Sequence, residues 1–182
     1  MDELLQRGRR FDLQALTEIY DTYSPGLYSY AYRLLGDESL AEDCVAETFS
    51  RFLKSLKAGN GPVEYLQAYL YRVAHNWISD QYRRQPPPLA LREDYPASDE
   101  QHPENLASQQ ILQAEVRAAL FHLTPEQRQV IVLRFIEGWE NDQVAAVLQK
   151  RVGAVKGLQF RAVAALKRLL LRAEEVEYET VS

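Results

Sequence analysis

The chain has 182 residues, a net charge of −5 and 46% hydrophobic residues, which is the composition of a globular protein. No stretch approaches the roughly 18 uncharged apolar residues of a membrane span, and the N-terminus lacks the apolar core of a signal peptide. A single cysteine, Cys44, excludes an internal disulfide framework, and three scattered histidines do not suit a metal site. We expect a cytoplasmic protein with no membrane insertion, metal or cofactor.

In the first half of the chain, apolar residues recur with the spacing of an α-helix in every long patterned segment. The pattern predicts a first helix, a break at Ser24-Pro25-Gly26, and a second helix after it. Ser39 and Glu42 predict a capping box that opens a third helix, and Pro62 predicts the first turn of a fourth helix that runs to about Arg84. The residues expected to be buried are Leu13, Leu16, Tyr20, Tyr23, Leu27, Ala31, Leu34, Ala41, Val45, Phe49, Phe52, Leu56, Leu66, Leu70, Val73 and Trp77.

Residues 85–107 differ in composition from the segments that precede and follow them. They contain five of the eight prolines and five acidic side chains, and three consecutive prolines cannot continue a helix. This composition predicts an extended linker and a domain boundary.

The second half combines helix signals with a basic block. Thr124-Pro125-Glu126-Gln127 predicts a helix start, and Gly138 predicts a stop. A short helix from about residue 142 to 148 and a long final helix have the proportions of a helix-turn-helix, with Ala145 and Val155 packed in its corner. Residues 108–172 carry ten basic and five acidic side chains. The sequence therefore predicts an all-α fold with two small domains, residues 1–84 and 108–172, and an acidic tail over residues 173–182.

Two helix faces have the chemistry of nucleic-acid binding. Lysine and arginine neutralise phosphates, and glutamine and arginine pair with base edges, which favours DNA contact by Lys156, Gln159 and Arg161 on the final helix. Aromatic rings stack on unpaired bases, which favours single-stranded DNA contact by the stripe of Tyr65, Tyr69, Arg72, Asn76, Asp80 and Arg83 on the fourth helix. The alternative for both faces is a solvated polar surface of an amphipathic helix.

The third helix places Glu42, Asp43 and Glu47 on one face, which is either a solvated surface or a docking site for a protein partner. Catalytic chemistry is not indicated. Cys44 lies in a helical pattern without a matched histidine, so we interpret it as a small core residue. We therefore expect that the protein is not an enzyme.

Two motifs carry a resemblance to a known family. Ala41-Glu42-Asp43 through Phe49, followed by Tyr69 through Arg83, resembles the first conserved domain of bacterial RNA polymerase sigma factors. Leu123-Thr-Pro125 through Ala162 resembles their C-terminal helix-turn-helix domain. Both domains without a middle domain are similar to the extracytoplasmic-function (ECF) branch of the sigma-70 family, and the resemblance covers about residues 10–170.

The resemblance implies a role for each surface. Glu42, Asp43, Glu47 and Phe49 match positions that dock on the clamp helices of the largest subunit of core RNA polymerase. The loop over residues 57–63 and the stripe of Tyr65, Tyr69, Arg72, Asn76, Asp80 and Arg83 match positions that melt and hold the −10 element. Lys156, Gln159 and Arg161 match the helix that reads the −35 element, and the acidic linker would pass toward the RNA exit channel. The implied partners are core RNA polymerase, promoter DNA and, as is common in this branch, an anti-sigma factor.

The helix-turn-helix departs from the family pattern. Gln149 replaces the usual turn glycine, and Arg151 replaces the serine or threonine that caps the recognition helix, so the cap is expected to be weaker. Two alternatives to a sigma factor remain open at this point. A stand-alone helix-turn-helix regulator would use only residues 108–172 on DNA, and a helical adaptor would bind proteins without DNA.

Overall fold

The structure, a computed structural model, describes residues 3–85 and 116–180, with side chains described up to residue 171. All regular structure over these residues is helical, which confirms the predicted fold class. The helices are α1 (Glu3–Arg9), α2 (Leu13–Leu35), α3 (Glu38–Lys57), α4 (Leu66–Arg84), α5 (residues 116–121), α6 (Pro125–Ile131), α7 (Asn141–Leu148) and α8 (Val152–Thr180). A π-helical turn, Val132–Ile136, extends α6. No described helix is both long and apolar enough to cross a membrane.

Helix α2 is continuous, so the predicted break at Ser24-Pro25-Gly26 is wrong. Pro25 lies inside the helix and is exposed. Because proline has no N–H to donate, one backbone carbonyl in the preceding turn lacks its usual partner and can bond to water instead. A Cβ atom at Gly26 would lie 2.7 Å from the hydroxyl of Tyr71, so glycine lets α4 approach closely. The continuous helix also corrects the predicted stripe, because Leu13 is 78% and Tyr20 47% exposed.

Helices α3 and α4 begin at residues other than those predicted. Asp37, not Ser39, is the N-cap of α3, and its carboxylate accepts from the backbone N–H of Leu40 at 2.9 Å. Helix α4 begins at Leu66 rather than at Pro62, after Tyr65 in a left-handed conformation. The buried face of α4 is also rotated about the helix axis relative to the predicted face, because helices pack against α4 from more than one side. The fully or nearly buried residues are Leu66, Leu70, Tyr71, Ala74, Ile78 and Tyr82, whereas Val73 and Trp77 are half-buried.

The second half contains the predicted helix signals and the predicted helix-turn-helix. The hydroxyl of Thr124 and the side chain of Gln127 form a reciprocal capping box at the start of α6, and Gly138 adopts a φ of 72°. Val155 is fully buried and Ala145 is 6% exposed in the corner between α7 and α8. The predicted linker lies outside the described residues, except for Gln85. The predicted acidic tail continues α8 up to Thr180.

The two halves pack against each other, which the sequence analysis did not predict. Helices α4 and α7 are in contact, and α2 contacts both α6 and the π-helical turn. Buried residues of both halves form one continuous apolar cluster that includes Tyr71 and Trp139, whose ring centroids lie 4.7 Å apart. The halves therefore share part of their core.

Arg128 of α6 reaches into this shared core. Its side chain is 1% exposed, and its guanidinium donates to the carbonyl oxygen of Leu34 at 3.0 Å and to the hydroxyl of Tyr82 at 3.4 Å, both in the first half. Within its own half it donates to the carbonyl of Leu120 at 2.8 Å and stacks 4.4 Å from the ring of Phe121. Burial lowers the pKa of Arg128 from its ordinary value. The hydrogen bonds offset part of the cost of burying this cation.

Glu137, just after the π-helical turn, forms a second polar link between the halves. Its carboxylate accepts from the guanidinium of Arg33 at 3.2 Å and from the hydroxyl of Tyr71 at 3.1 Å. We call the six residues that join the halves the interdomain contact: Arg33, Tyr71, Tyr82, Arg128, Glu137 and Trp139.

The turn between α7 and α8 has strained backbone geometry at Gln149, where the family pattern has glycine. Gln149 adopts φ 54° and ψ 42°, in the left-handed region, which costs a residue with a side chain about 1–2 kcal/mol. Its backbone N–H still donates to the carbonyl of Ala145. Helix α8 then starts at Val152 directly after Arg151.

We predict that Gln149→Gly raises the free energy of unfolding by about 0.5–1 kcal/mol. Glycine removes the left-handed strain, and the larger entropy of the unfolded glycine chain offsets part of the gain. Urea denaturation followed by circular dichroism measures the difference. The control is Ala146→Gly, at an exposed position inside α7, which should lower stability by about 1 kcal/mol. Equal losses in both variants would contradict the role assigned to the turn.

Candidate nucleic-acid interface

The outer face of α8 is accessible. Val155, Leu158 and Ala162 face the core, whereas Lys156 and Arg161 are exposed and Gln159 is half-buried. At 100° per residue, Lys156 and Arg161 lie on opposite flanks of the outer face, and Gln159 lies nearer the buried side. The structure therefore leaves two of the three predicted −35 residues fully accessible and the third partly accessible.

The centre of this outer face holds an aromatic residue that the sequence analysis missed. Phe160 is 78% exposed, and the residues beside it on the outward face are Gly153, Gly157 and Ala164. Leu13 and Tyr65 are similarly exposed, and single apolar side chains are common on protein surfaces. Phe160 differs in lying among small residues, which let a helix backbone approach another surface closely. The helical period of the sequence is the signal that places it opposite Leu158 and Ala162.

The predicted stripe on α4 has accessible and packed members. Tyr65 is 79% exposed, and Asn76 is exposed. Tyr69 is half-buried; its hydroxyl donates to the Ser55 hydroxyl at 2.9 Å, and its ring lies under the guanidinium of Arg72 at 5.7 Å. Asp80 forms an ion pair with Arg83 at the end of the stripe. Tyr65 and Asn76 are therefore free to meet a ligand, and Tyr69 and Arg72 are positioned by neighbouring side chains.

The loop between α3 and α4 is held in one shape from two sides. A Cβ atom at Gly61 would lie 2.4 Å from a terminal methyl carbon of Leu56, so a larger residue there would force Leu56 to shift. On the other side, the guanidinium of Arg9 donates to the carbonyl of Pro62 at 2.9 Å. This arrangement leaves Val63 57% exposed. Tyr65 follows it with a left-handed φ of 54°.

Helix α1, which the sequence analysis did not predict, supplies this support. Leu5 is fully buried, and a Cβ atom at Gly8 would lie 3.0 Å from Ile19, so α1 packs tightly on α2. Arg7 forms an ion pair of 2.8 Å with Asp12, the N-cap of α2. Arg9 is therefore presented to the loop by a well-anchored helix. No motif marked it, because its partners are backbone carbonyls 52 and 53 residues away.

The acidic face of α3 is only partly as predicted. Glu42 and Asp43 are exposed, whereas Glu47 forms an ion pair of 2.7 Å with Arg51, whose hydrogen bond lowers the pKa of that carboxyl. Phe49 is 8% exposed and packs on Tyr20 with ring centroids 4.8 Å apart, so it belongs to the core rather than to the docking face. Leu53, 40% exposed, adds an apolar residue to this face.

The described residues contain no group of side chains suited to hold a metal ion. Cys44 is fully buried, as predicted for a core residue, and burial raises the pKa of its thiol to about 12. His75 lies on the side of α4 that faces the second half. Burial lowers its pKa to about 4.

The chain thus consists of a helical unit with an aromatic and polar stripe, followed by a helix-turn-helix unit, which is an architecture typical of DNA-binding proteins. Residues 19–86 match the family Sigma-70 region 2, and residues 113–166 match Sigma-70, region 4. The chain therefore belongs to the sigma-70 family of RNA polymerase sigma factors, in its ECF branch.

Individual relatives are similar over most of the chain. The ECF RNA polymerase sigma factor SigX of Bacillus subtilis is 30% identical over 173 residues, covering 88% of this chain and 87% of SigX. The ECF RNA polymerase sigma factor BldN of Streptomyces coelicolor is 32% identical over 173 residues, covering 93% of this chain. The chain spans about two thirds of the length of BldN and of SigE of Mycolicibacterium smegmatis, at 66% and 65%.

Among solved structures, that of CnrH in complex with the cytosolic domain of CnrY is similar, with a TM-score of 0.69 and 27% identity. The similarity covers 92% of this chain and 94% of CnrH. The sigma factor RpoE in complex with the anti-sigma factor NepR from Bartonella quintana has the same fold, with a TM-score of 0.65.

Proposed function

We propose that this chain binds core RNA polymerase in the cytoplasm and directs it to promoters, where it recognises the −35 element with α8 and opens the −10 element with α4. All bond chemistry is left to the polymerase. The observation that supports this proposal is that one chain exposes two helix faces of different chemistry, on α4 and on α8. The outer face of α8 suits the major groove of duplex DNA, whereas the stripe of Tyr65 and Asn76 suits unpaired bases.

The acidic and apolar face of α3 is the third part of the proposal. Glu42, Asp43 and Leu53 lie on the exposed side of a helix whose opposite side is in the core. We assign this face to docking on core polymerase, with Phe49 supporting it from below. An anti-sigma factor is a further partner that the proposal includes, because two similar structures hold a second protein.

The experiment that tests the proposal is transcription from a library of genomic fragments by core polymerase, with and without the chain. We expect a small set of new transcripts that start downstream of shared −35 and −10 sequences. A stand-alone regulator would bind a defined operator tightly without polymerase and start no new transcripts. An adaptor would bind no DNA even at low salt. Either of these results would contradict the proposal.

The first prediction concerns −35 recognition by Phe160. A phenylalanine in the major groove contacts a thymine methyl group, so Phe160→Ala should weaken binding of a −35 duplex by about 1–3 kcal/mol and relax specificity at one position. Lys167→Ala, at another exposed residue of α8, is the control and should weaken all sequences equally through lost phosphate contact. Fluorescence anisotropy at several salt concentrations separates the two effects. Unchanged affinity of Phe160→Ala would contradict the assignment.

The second prediction concerns promoter opening. The Tyr65 ring can stack on an unpaired base, which contributes about 1–3 kcal/mol, and the Asn76 amide can hydrogen-bond to one. Tyr65→Ala and Asn76→Ala should therefore leave −35 binding intact and reduce the population of open complexes. A pre-melted bubble should rescue much of this loss, because the cost of opening is then already met. Permanganate footprints of unpaired thymines on duplex and bubble promoters measure both quantities. Equal footprints for wild type and both variants on duplex DNA would show that the stripe is only a solvated surface.

Arg9 extends the same test to the loop. Arg9→Ala should also reduce opening of duplex promoters, because the carbonyl of Pro62 loses its donor and the loop loses its shape. Arg9→Lys, which keeps a donor, should restore part of the opening, and Arg10→Ala, at the exposed residue that follows α1, should have no effect. Similar footprints for Arg9→Ala and Arg10→Ala would contradict a positioning role.

The third prediction concerns polymerase docking. Reversing charge with Glu42→Lys and Asp43→Lys should weaken holoenzyme formation, whereas exposed substitutions change folding stability by only about 0.5 kcal/mol. Glu18→Lys, on the exposed surface of α2, provides the matched control. Native electrophoresis of the complex with core polymerase, combined with circular dichroism, measures affinity and folding separately. Affinity equal to that of the control would remove α3 from the docking surface.

A further inference from the structure

A row of exposed side chains follows the N-terminal half of α2. Leu13 is 78% and Tyr20 47% exposed, and Thr17 between them is exposed as well. At 100° per residue, these three residues lie within about 60° of one another around the helix axis, whereas Ala15 and Ile19 point into the core and are fully buried. We call Leu13, Thr17 and Tyr20 the α2 stripe. Two of its three members are large side chains that the described part of the chain leaves well exposed.

The α2 stripe continues onto the exposed face of α3. Only two residues connect α2 with α3, so the helices form an antiparallel hairpin. The ring of Tyr20 packs on that of Phe49 with centroids 4.8 Å apart, and Leu53, one turn further along α3, is 40% exposed. The antiparallel course places Leu13 toward the C-terminal end of α3, away from Glu42. The two helices therefore present one surface, with an apolar end at Leu13 and Leu53 and an acidic end at Glu42.

The α3 face alone is too small for stable docking. From Glu42 to Leu53 it is about 17 Å long, and a helix is about 10 Å wide, which gives about 170 Å². Each partner in a stable protein interface contributes roughly 800 Å². Docking through this part of the chain therefore needs further surface beside α3, and the α2 stripe supplies exposed apolar surface in contact with it.

The charge of this surface determines what can cover it. Residues 13–32 carry two acidic side chains and no basic one, and residues 37–50 carry five acidic side chains and no basic one. Nucleic-acid phosphates would be repelled, and a second copy would bring the same acidic groups opposite each other across a two-fold axis. The linker over residues 85–107 has five acidic side chains and one basic one, so it is also repelled. The complementary occupant is a protein surface with apolar and basic side chains.

We propose that core RNA polymerase is this occupant and that the α2 stripe anchors it through apolar contact. The choice follows from continuity, because the stripe adjoins the α3 face assigned to polymerase docking. The proposal therefore rests on the proposed function and deepens it. Leu13 and Thr17 lie before residue 19, where the match to Sigma-70 region 2 begins, so the docking surface extends beyond that segment. The apolar end slows dissociation, and the acidic end speeds association.

A gain of apolar surface tests the stripe without loss of any packed side chain. Thr17→Leu adds an aliphatic side chain at the centre of the stripe and should slow dissociation of the full-length chain from core polymerase several-fold. Thr22→Leu makes the same change on the opposite side of α2, where Thr22 is also exposed, and should leave the rate at the wild-type value. Biolayer interferometry on immobilised core polymerase measures both association and dissociation. Equal dissociation rates for the two variants would overturn the proposal.

A loss of apolar surface should have the opposite effect. Leu13→Ala should speed dissociation about tenfold, as truncation of a central interface residue does, and by the same factor at low and high salt, because apolar contact is not screened. Glu42→Lys with Asp43→Lys should instead slow association, by a factor that shrinks as salt rises. Circular dichroism checks that each variant is folded. Wild-type dissociation of Leu13→Ala, or an effect that disappears at high salt, would overturn the proposal.

Failure of this inference is distinguishable from failure of the proposed function. If the charge reversals weaken docking while Thr17→Leu and Leu13→Ala change nothing, the α3 face docks without the stripe, so the inference falls and the proposed function stands. If the wild type binds no core polymerase, both fall. Sedimentation of the free chain tests the second copy as occupant. A dimer that Leu13→Ala converts to a monomer, with polymerase binding unchanged, would overturn the proposal.

Discussion

The burial of one cation, Arg128, constrains the arrangement of the whole molecule. A guanidinium has five donor hydrogens and no acceptor, so it can be buried only where several oxygens converge on it. Here the oxygens come from both halves of the chain, with Leu34 and Tyr82 on one side and Leu120 on the other. If the halves separate, these bonds must be replaced by water. The closed arrangement and the environment of Arg128 therefore depend on each other.

The remaining structure separates rigid support from exposed chemistry. Arg9, Gly61 and Leu56 fix the loop before α4, and the buried corner at Val155 fixes the angle between α7 and α8. These supports position Tyr65 and Phe160, two aromatic side chains that are each almost four-fifths exposed. Each half therefore presents one exposed aromatic side chain on a rigid support.

Local signals in the sequence predicted local structure well. The capping box at Thr124 depends on residues three positions apart, and the stop at Gly138 depends on one residue, so each is readable without knowing the fold. The break at Pro25 was wrongly predicted because an exposed carbonyl can be hydrated, which lets the helix continue. The N-cap of α3 was misplaced by two residues, since the carboxylate of Asp37 accepts from the backbone N–H of Leu40, which precedes the donors that Ser39 could reach.

The tertiary features were not predictable from the sequence. Arg128 follows a capping box on a short helix and has the pattern of a solvated residue, and contacts 94 and 46 residues away complete its burial. The same holds for Arg9, which bonds to backbone oxygens that carry no side-chain signature. Phe49 was expected both in the core and on the docking face. Its ring packs on that of Tyr20, which places it in the core.

Permanganate footprinting of one promoter tests most directly whether α8 and α4 serve different promoter elements. With core polymerase and the wild-type chain we expect unpaired thymines at the −10 element of duplex DNA. Tyr65→Ala should lose most of this signal on duplex DNA and regain it on a pre-melted bubble, because the cost of opening is then already met. Phe160→Ala should lose signal on both templates, because binding of the −35 element is weakened. The same response of both variants on both templates would contradict the account.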